Sequence, residues 1–155
     1  MKTLVLILFI NVAAFGQNVG DISFDATKDN PDFKLCNPSA VWQGYWLKTK
    51  MDETTQAVEQ EFKGRFQTKD EWKNESGLIR IRFVVNCQGQ SDRFRLLELD
   101  FDLNEKKFSE SLRAHLLTVA KGIQWPARRA NQQTMDYYHH FSIRITNGQL
   151  TDIIQ

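Results

Sequence analysis

A chain of 155 residues with 20 Lys and Arg against 19 Asp and Glu carries almost no net charge, which excludes long-range steering toward nucleic acid or an anionic membrane surface. Four Trp, three Tyr and eleven Phe give a single domain of this length enough large apolar side chains for a real core. No internal repeat or low-complexity tract interrupts the sequence.

At the start, Lys2 precedes an apolar run from Thr3 to Phe15, broken only by Asn11, with small residues at Ala13, Ala14 and Gly16. This is the layout of a secretory signal peptide, assigned to residues 1–17 with cleavage near Gly16 or Gln17. A run of about 13 residues falls short of the roughly 20 that a membrane-spanning helix needs. No stable membrane span is therefore expected after signal cleavage, and the destination is the periplasm or the outside of the cell. In such a compartment the two cysteines, Cys36 and Cys87, read as one disulfide. Closing a loop of roughly 50 residues is worth about 4 kcal/mol on the chain-entropy estimate.

Residues 18–76 form an N-terminal segment with one helix. Asp29-Asn30-Pro31 and Asn37-Pro38 mark an irregular lead-in up to residue 40. The aromatic cluster from Val41 to Leu47, with Trp42, Tyr45 and Trp46, reads as a layer over the core. Asp52 is a candidate helix N-cap, and Met51, Thr55, Val58, Phe62 and Phe66 follow at helical spacing to an end near Gln67. Lys69 to Ser76 reads as a polar loop.

From Gly77 the periodicity changes to two. Ile79, Ile81, Phe83 and Val85 alternate with Arg80 and Arg82, a strand with one buried face. A turn around Gly89 leads to a second strand, Arg93 to Leu99. Arg80, Arg82, Arg93 and Arg95 with Glu98, Asp100 and Asp102 suggest a solvated charge ladder across the pair. A second helix is expected over Phe108 to Lys121, ended by Gly122, and Trp125-Pro126 forces an extended exit. Arg128 to Thr134 reads as a polar loop. Tyr137 to Ile145 alternates again, and Asn147-Gly148 is a strong hairpin signal before a last strand from Leu150 to Ile154. The expected fold is α+β, an antiparallel sheet of three to four strands packed against two helices.

Motifs that carry chemistry are missing. Neither Gly-x-Ser-x-Gly, His-Glu-x-x-His nor a Gly-rich phosphate loop occurs. His139 and His140 are adjacent on a strand and point to opposite faces, so they cannot readily share a metal, and His115 sits alone on a helix. No catalytic residue, cofactor or metal site is expected.

From residue 77 to 154 the order of elements, with GLIRIRFVVNCQGQSDRFRLLELD, GIQWPA and FSIRITNGQLTDIIQ, resembles the C-terminal domain of TonB, the energy transducer of outer-membrane transport. The cysteine after FVVN makes the whole similar to standalone exported TonB-like proteins of Bacteroidetes. The resemblance implies a domain over 77–155 that binds a protein partner in the periplasm or outer membrane by strand addition. By position, the receiving edge would be the strand carrying Tyr138, His140, Ser142 and Arg144. The Pro-rich spacer and the Tyr-Pro pair of TonB have no counterpart here, so force transmission is not carried over. Two other readings stay open: a membrane-anchored TonB component, and a small hydrolase or ligand carrier using the cluster from Trp42 to Trp46.

Overall fold

The computed structural model describes residues 22–44, 51–130 and 132–154. The segment read as a signal peptide lies outside them, as do Tyr45 and Trp46 of the aromatic cluster. In chain order the elements are β1 (Trp42–Gln43), α1 (Met51–Arg65), β2 (Gly77–Val85), β3 (Ser91–Leu99), α2 (Glu110–Gly122), β4 (Arg128–Ala130), β5 (Gln133–Met135), β6 (Tyr137–Thr146) and β7 (Gln149–Ile154). The main sheet runs β1-β6-β2-β3, with β7 also paired to β6. The class is α+β, but the sheet has five strands and is mixed rather than antiparallel throughout. The reason is β1, which lies parallel to the start of β6, its Trp42 amide donating to the Asp136 carbonyl at 2.9 Å.

The alternation in β2 and β6 builds the first face of the sheet. Ile79, Ile81, Phe83 and Val85 meet Phe141, Ile143 and Ile145, and Val58 and Phe62 of α1 with Leu112, Leu116 and Val119 of α2 close over them. Phe62 packs edge-on to Phe141 with ring centroids 5.4 Å apart. α2 starts two residues later than expected. The Ser109 side chain accepts from the Leu112 amide as the cap, and the Phe108 amide is held outside the helix by Glu98 Oε2 at 2.8 Å. α1 already includes Met51 and Asp52.

Two stretches read as loops carry structure. Arg128 to Met135 forms the ribbon β4-β5. Between α1 and β2, Asp70–Trp72 forms a 3-10 turn that delivers Trp72 into full burial, its Nε1 donating to Ser111 Oγ at 2.6 Å. The β6-β7 hairpin is shaped around that turn. Asn147 and Gly148 both have positive φ, 50° and 76°, as a type I′ turn requires. A Cβ at residue 148 would stand 2.5 Å from the Trp72 carbonyl oxygen.

The second face is covered by the lead-in over one half only. Ile22 packs on Val84 and Tyr138, with Phe33, Leu35 and Val41 around them. The lead-in is held by single long-range bonds. The Asn30 amide donates to Asp92 Oδ2 at 2.9 Å, Asn86 Nδ2 donates to the Lys34 carbonyl at 3.0 Å, and Cys36 is disulfide-bonded to Cys87, Cα atoms 6.0 Å apart. Asp136, buried beside the bridge, takes the Asn37 amide on one carboxylate oxygen at 2.6 Å and the Cys87 amide on the other at 2.8 Å.

Candidate protein-binding face

Residues paired across strands project to the same side of a sheet. On the second face, Arg80 therefore stands between Ser142 and Leu97, Arg82 between His140 and Arg95, and Leu78 between Arg144 and Leu99. Beyond the lead-in this half of the sheet has no covering layer among the described residues. Leu97, Phe101 and Ile154 are exposed at its margins.

Arg82 and Arg95 lie directly opposite each other, an arrangement of like charges that costs energy unless one is neutralised. Asp29 of the lead-in does this, its two carboxylate oxygens meeting both terminal nitrogens of Arg95 at 2.7 Å. The Arg95 guanidinium in turn holds the Asp29 carboxyl below its usual range. The ladder expected from Arg80, Arg82, Arg93 and Arg95 with Glu98, Asp100 and Asp102 does not form. Arg93 reaches the Ile22 carbonyl, Glu98 turns to the helical side to meet Arg113, and Asp100 caps its own turn through the Asp102 and Asn104 amides.

Arg80 is aimed by its Nε, which donates to Ser142 Oγ at 3.1 Å. Arg144 lies over the Phe101 ring, 5.2 Å from its centroid. Among the described residues neither Arg80 nor Arg144 forms an ion pair. His140 is held below its ordinary value, first by partial burial and then by Arg80 and Arg82, so at neutral pH the positive charge here belongs to the arginines. The open half of the face is thus predominantly cationic, with Asp152 opposite Arg144 and an apolar rim.

The strand expected at the sheet edge is not there. β2 pairs with β6 from Tyr137 to Ile145, while β1 takes Tyr137 and Tyr138 on the other flank and β7 takes Ser142 to Thr146. Its backbone is therefore largely spent within the chain, and Tyr138 is buried beneath the lead-in. His140, Ser142 and Arg144 do come together, as side chains on the open face rather than as rungs of a free edge. The sequence could not place β1 and β7, because a two-residue strand and a return strand of six have no signal saying which flank they take. β1, β3 and β7 each have a single partner in the main sheet, and the longest of the three, with nine residues, is β3. Its edge is blunted by Arg93 in the left-handed region (φ 58°) and by the Lys106 amide, which already donates to the Glu98 carbonyl. A shallow groove of about 340 Å³ lies between Leu96–Glu98 and Glu105–Lys107.

Elsewhere the titratable groups serve the core. His139 is enclosed by Phe83, Trp125 and Tyr137, and burial, with Arg128 adding to it, pushes it down to about 3. Burial pushes Tyr137 up to about 12, and its hydroxyl donates to the Pro126 carbonyl at 2.7 Å. Arg128 lies over the Tyr137 ring and donates to the Gly44 carbonyl at 2.6 Å. His115 accepts the Gln67 amide at 3.1 Å, linking the segment after α1 to α2. The one group of possible metal ligands among the described residues is Cys36, Cys87 and Asp136, and both sulfurs are consumed by the disulfide. No helix among the described residues is long and apolar enough to cross a membrane. Comparison with protein-family models, curated proteins and solved structures gives no match.

Proposed function

We propose that this protein is an exported, non-catalytic binding module that holds an acidic segment of an envelope protein against the open half of its sheet. The observation that carries the reading is the presence of Arg80 and Arg144, neither in an ion pair among the described residues, on one rigid pleated surface rimmed by exposed Leu97, Phe101 and Ile154. Guanidinium forks recognise carboxylates in pairs of parallel hydrogen bonds, and an apolar rim excludes water from them. The disulfide supports an oxidising compartment, periplasmic or extracellular. The order of strands and helix from Gly77 onward supports a TonB C-terminal-like fold for residues 77–155.

The test uses a fluorescent acidic peptide with interspersed Leu and Phe, and its Lys-substituted counterpart. The acidic peptide binds the mature protein, and binding weakens as salt rises. Arg80→Glu with Arg144→Glu lowers its affinity about tenfold or more, equivalent to at least about 1.4 kcal/mol, while the melting temperature holds. Equal binding of both peptides, or an unchanged affinity in the double variant, overturns the proposal.

A second reading, strand addition at β3, is favoured by that strand being the longest of the three that have only one neighbour. Amide hydrogen exchange separates the two: protection gained at Phe94 and Leu96 on peptide binding marks strand addition, whereas perturbation confined to His140, Ser142 and Arg144 marks the face. N-terminal sequencing of the mature chain distinguishes both from a membrane-anchored TonB component, which would keep residues 1–17.

A further inference from the structure

The lead-in does more than cover the sheet: with β3 it frames a shallow groove of about 430 Å³, within the size range of small-molecule sites. Phe24, Phe33, Leu35 and Pro38 give it apolar walls, and Lys34 and Arg93 supply the charge. Phe24 is half exposed to solvent, although an aromatic ring of a structural layer would ordinarily be covered.

Arg93 is fixed rather than floating. Its backbone is left-handed, one terminal nitrogen donates to the Ile22 carbonyl at 3.1 Å, and its guanidinium carbon lies 6.0 Å from the Phe24 ring centroid. Its Nε is buried and has no hydrogen-bond acceptor among the described residues. Arg93 lines the groove, so its guanidinium charge is presented there together with that of Lys34. Lys34 rests its ammonium on the Pro31 carbonyl at 2.8 Å and forms no ion pair among the described residues.

We propose that this groove binds a small amphiphile with one anionic head and an aliphatic body, a medium-chain carboxylate being the type. The head group sits between Arg93 and Lys34, and the chain lies along Phe24, Phe33, Leu35 and Pro38. An extended peptide suits the site less well, because its own amides and carbonyls need partners when desolvated. Backbone groups of the lead-in are already engaged internally: the Phe33 amide donates to the Asn30 carbonyl, the Asp29 amide to Asp25, and the Asn30 amide to Asp92. An alkyl chain makes no such demand. The site is separate from the arginine face and stands or falls independently of it.

Titration calorimetry of the intact mature protein with dodecanoate, dodecanol and dodecyltrimethylammonium, each below its micelle-forming concentration, tests this. Dodecanoate binds saturably at one site, about tenfold or more tighter than the alcohol, and the cation binds weakest. Lys34→Gln and Arg93→Gln each lower dodecanoate affinity toward that of the alcohol without changing the alcohol itself, while Leu35→Gln weakens both. Lys34→Gln leaves the Ile22 anchor intact, so it remains informative if Arg93→Gln loosens the lead-in. Absence of saturable binding, equal affinity for acid and alcohol, or displacement of dodecanoate by the acidic peptide used above overturns the proposal.

Discussion

The two faces of the sheet are built on different principles. On the helical side, Ile79, Ile81, Phe83, Phe141, Ile143 and Ile145 bury a continuous apolar layer beneath α1 and α2, and many side chains share the stabilisation. On the other side a mostly irregular chain is fastened by a disulfide and a few carboxylates, each making bonds that no neighbour duplicates. A face of the first kind tolerates small changes anywhere and large ones nowhere. A face of the second kind can be detached at named points, and it leaves room beside it for polar recognition.

The contrast is broken most strongly at the aromatic anchor of the helical side. Trp72→Ala, which also removes the donor to Ser111 Oγ, is expected to lower unfolding free energy by about 3–5 kcal/mol in denaturant titration. Cys36→Ser combined with Cys87→Ser is expected to cost about 3 kcal/mol and to raise amide exchange in the lead-in, with β2 and β6 still protected at their centres. Asp29→Asn removes the carboxylate that neutralises Arg95. Because Arg95 is a quarter exposed, the loss is expected at about 2 kcal/mol, below that of a fully buried pair.

Acid acts on the two faces through different groups. The folded-state value of His139 is depressed from 6.5 to about 3, so the unfolded chain takes up the proton first. Its contribution is complete above 6.5 and is lost as pH falls toward 3, by up to about 1.4 kcal/mol per pH unit. Asp29 is also depressed, from 3.8, so its contribution is lost only below that value. His139→Phe is expected to make the upper window shallower in melts recorded across pH, the remainder coming from His115 and His140, which are also depressed, and to leave the lower one. The smallest effect is expected from Arg80→Ala and Arg144→Ala, each within about 0.5 kcal/mol of the parent in stability, which marks the open face as held for recognition rather than folding.

How legible each part was follows from how its information is carried. β2, the first face of β6 and the Asn147-Gly148 turn declare themselves within ten residues, because period two and a positive-φ pair are local properties. The cysteine pairing follows from there being only two. Trp72 stood in a polar run, so nothing local marked it as core. Asp136 and Asp29 carry no local mark of burial, and they act on Asn37, Cys87 and Arg95 at separations of 99, 49 and 66 residues. The edge assignment failed for the same reason: alternation along β6 showed which side chains share a face but not which strands occupy its flanks. Three of the four residues assigned to that edge still fall on the open face, since facing is local while neighbourhood is not.

The buried carboxylate of Asp136 also bears on how the crosslink forms. It takes the amides of Asn37 and Cys87 separately, so the bonds that seat the two cysteines side by side do not themselves depend on the bridge, and the folded sheet is expected to bring the thiols together before any oxidant acts. Sulfur oxidation then records a geometry already reached instead of searching for one. Maturation in this chain should run from strand assembly to crosslink, and Asp136→Ala should slow thiol disappearance during refolding with glutathione more than it slows the appearance of helix.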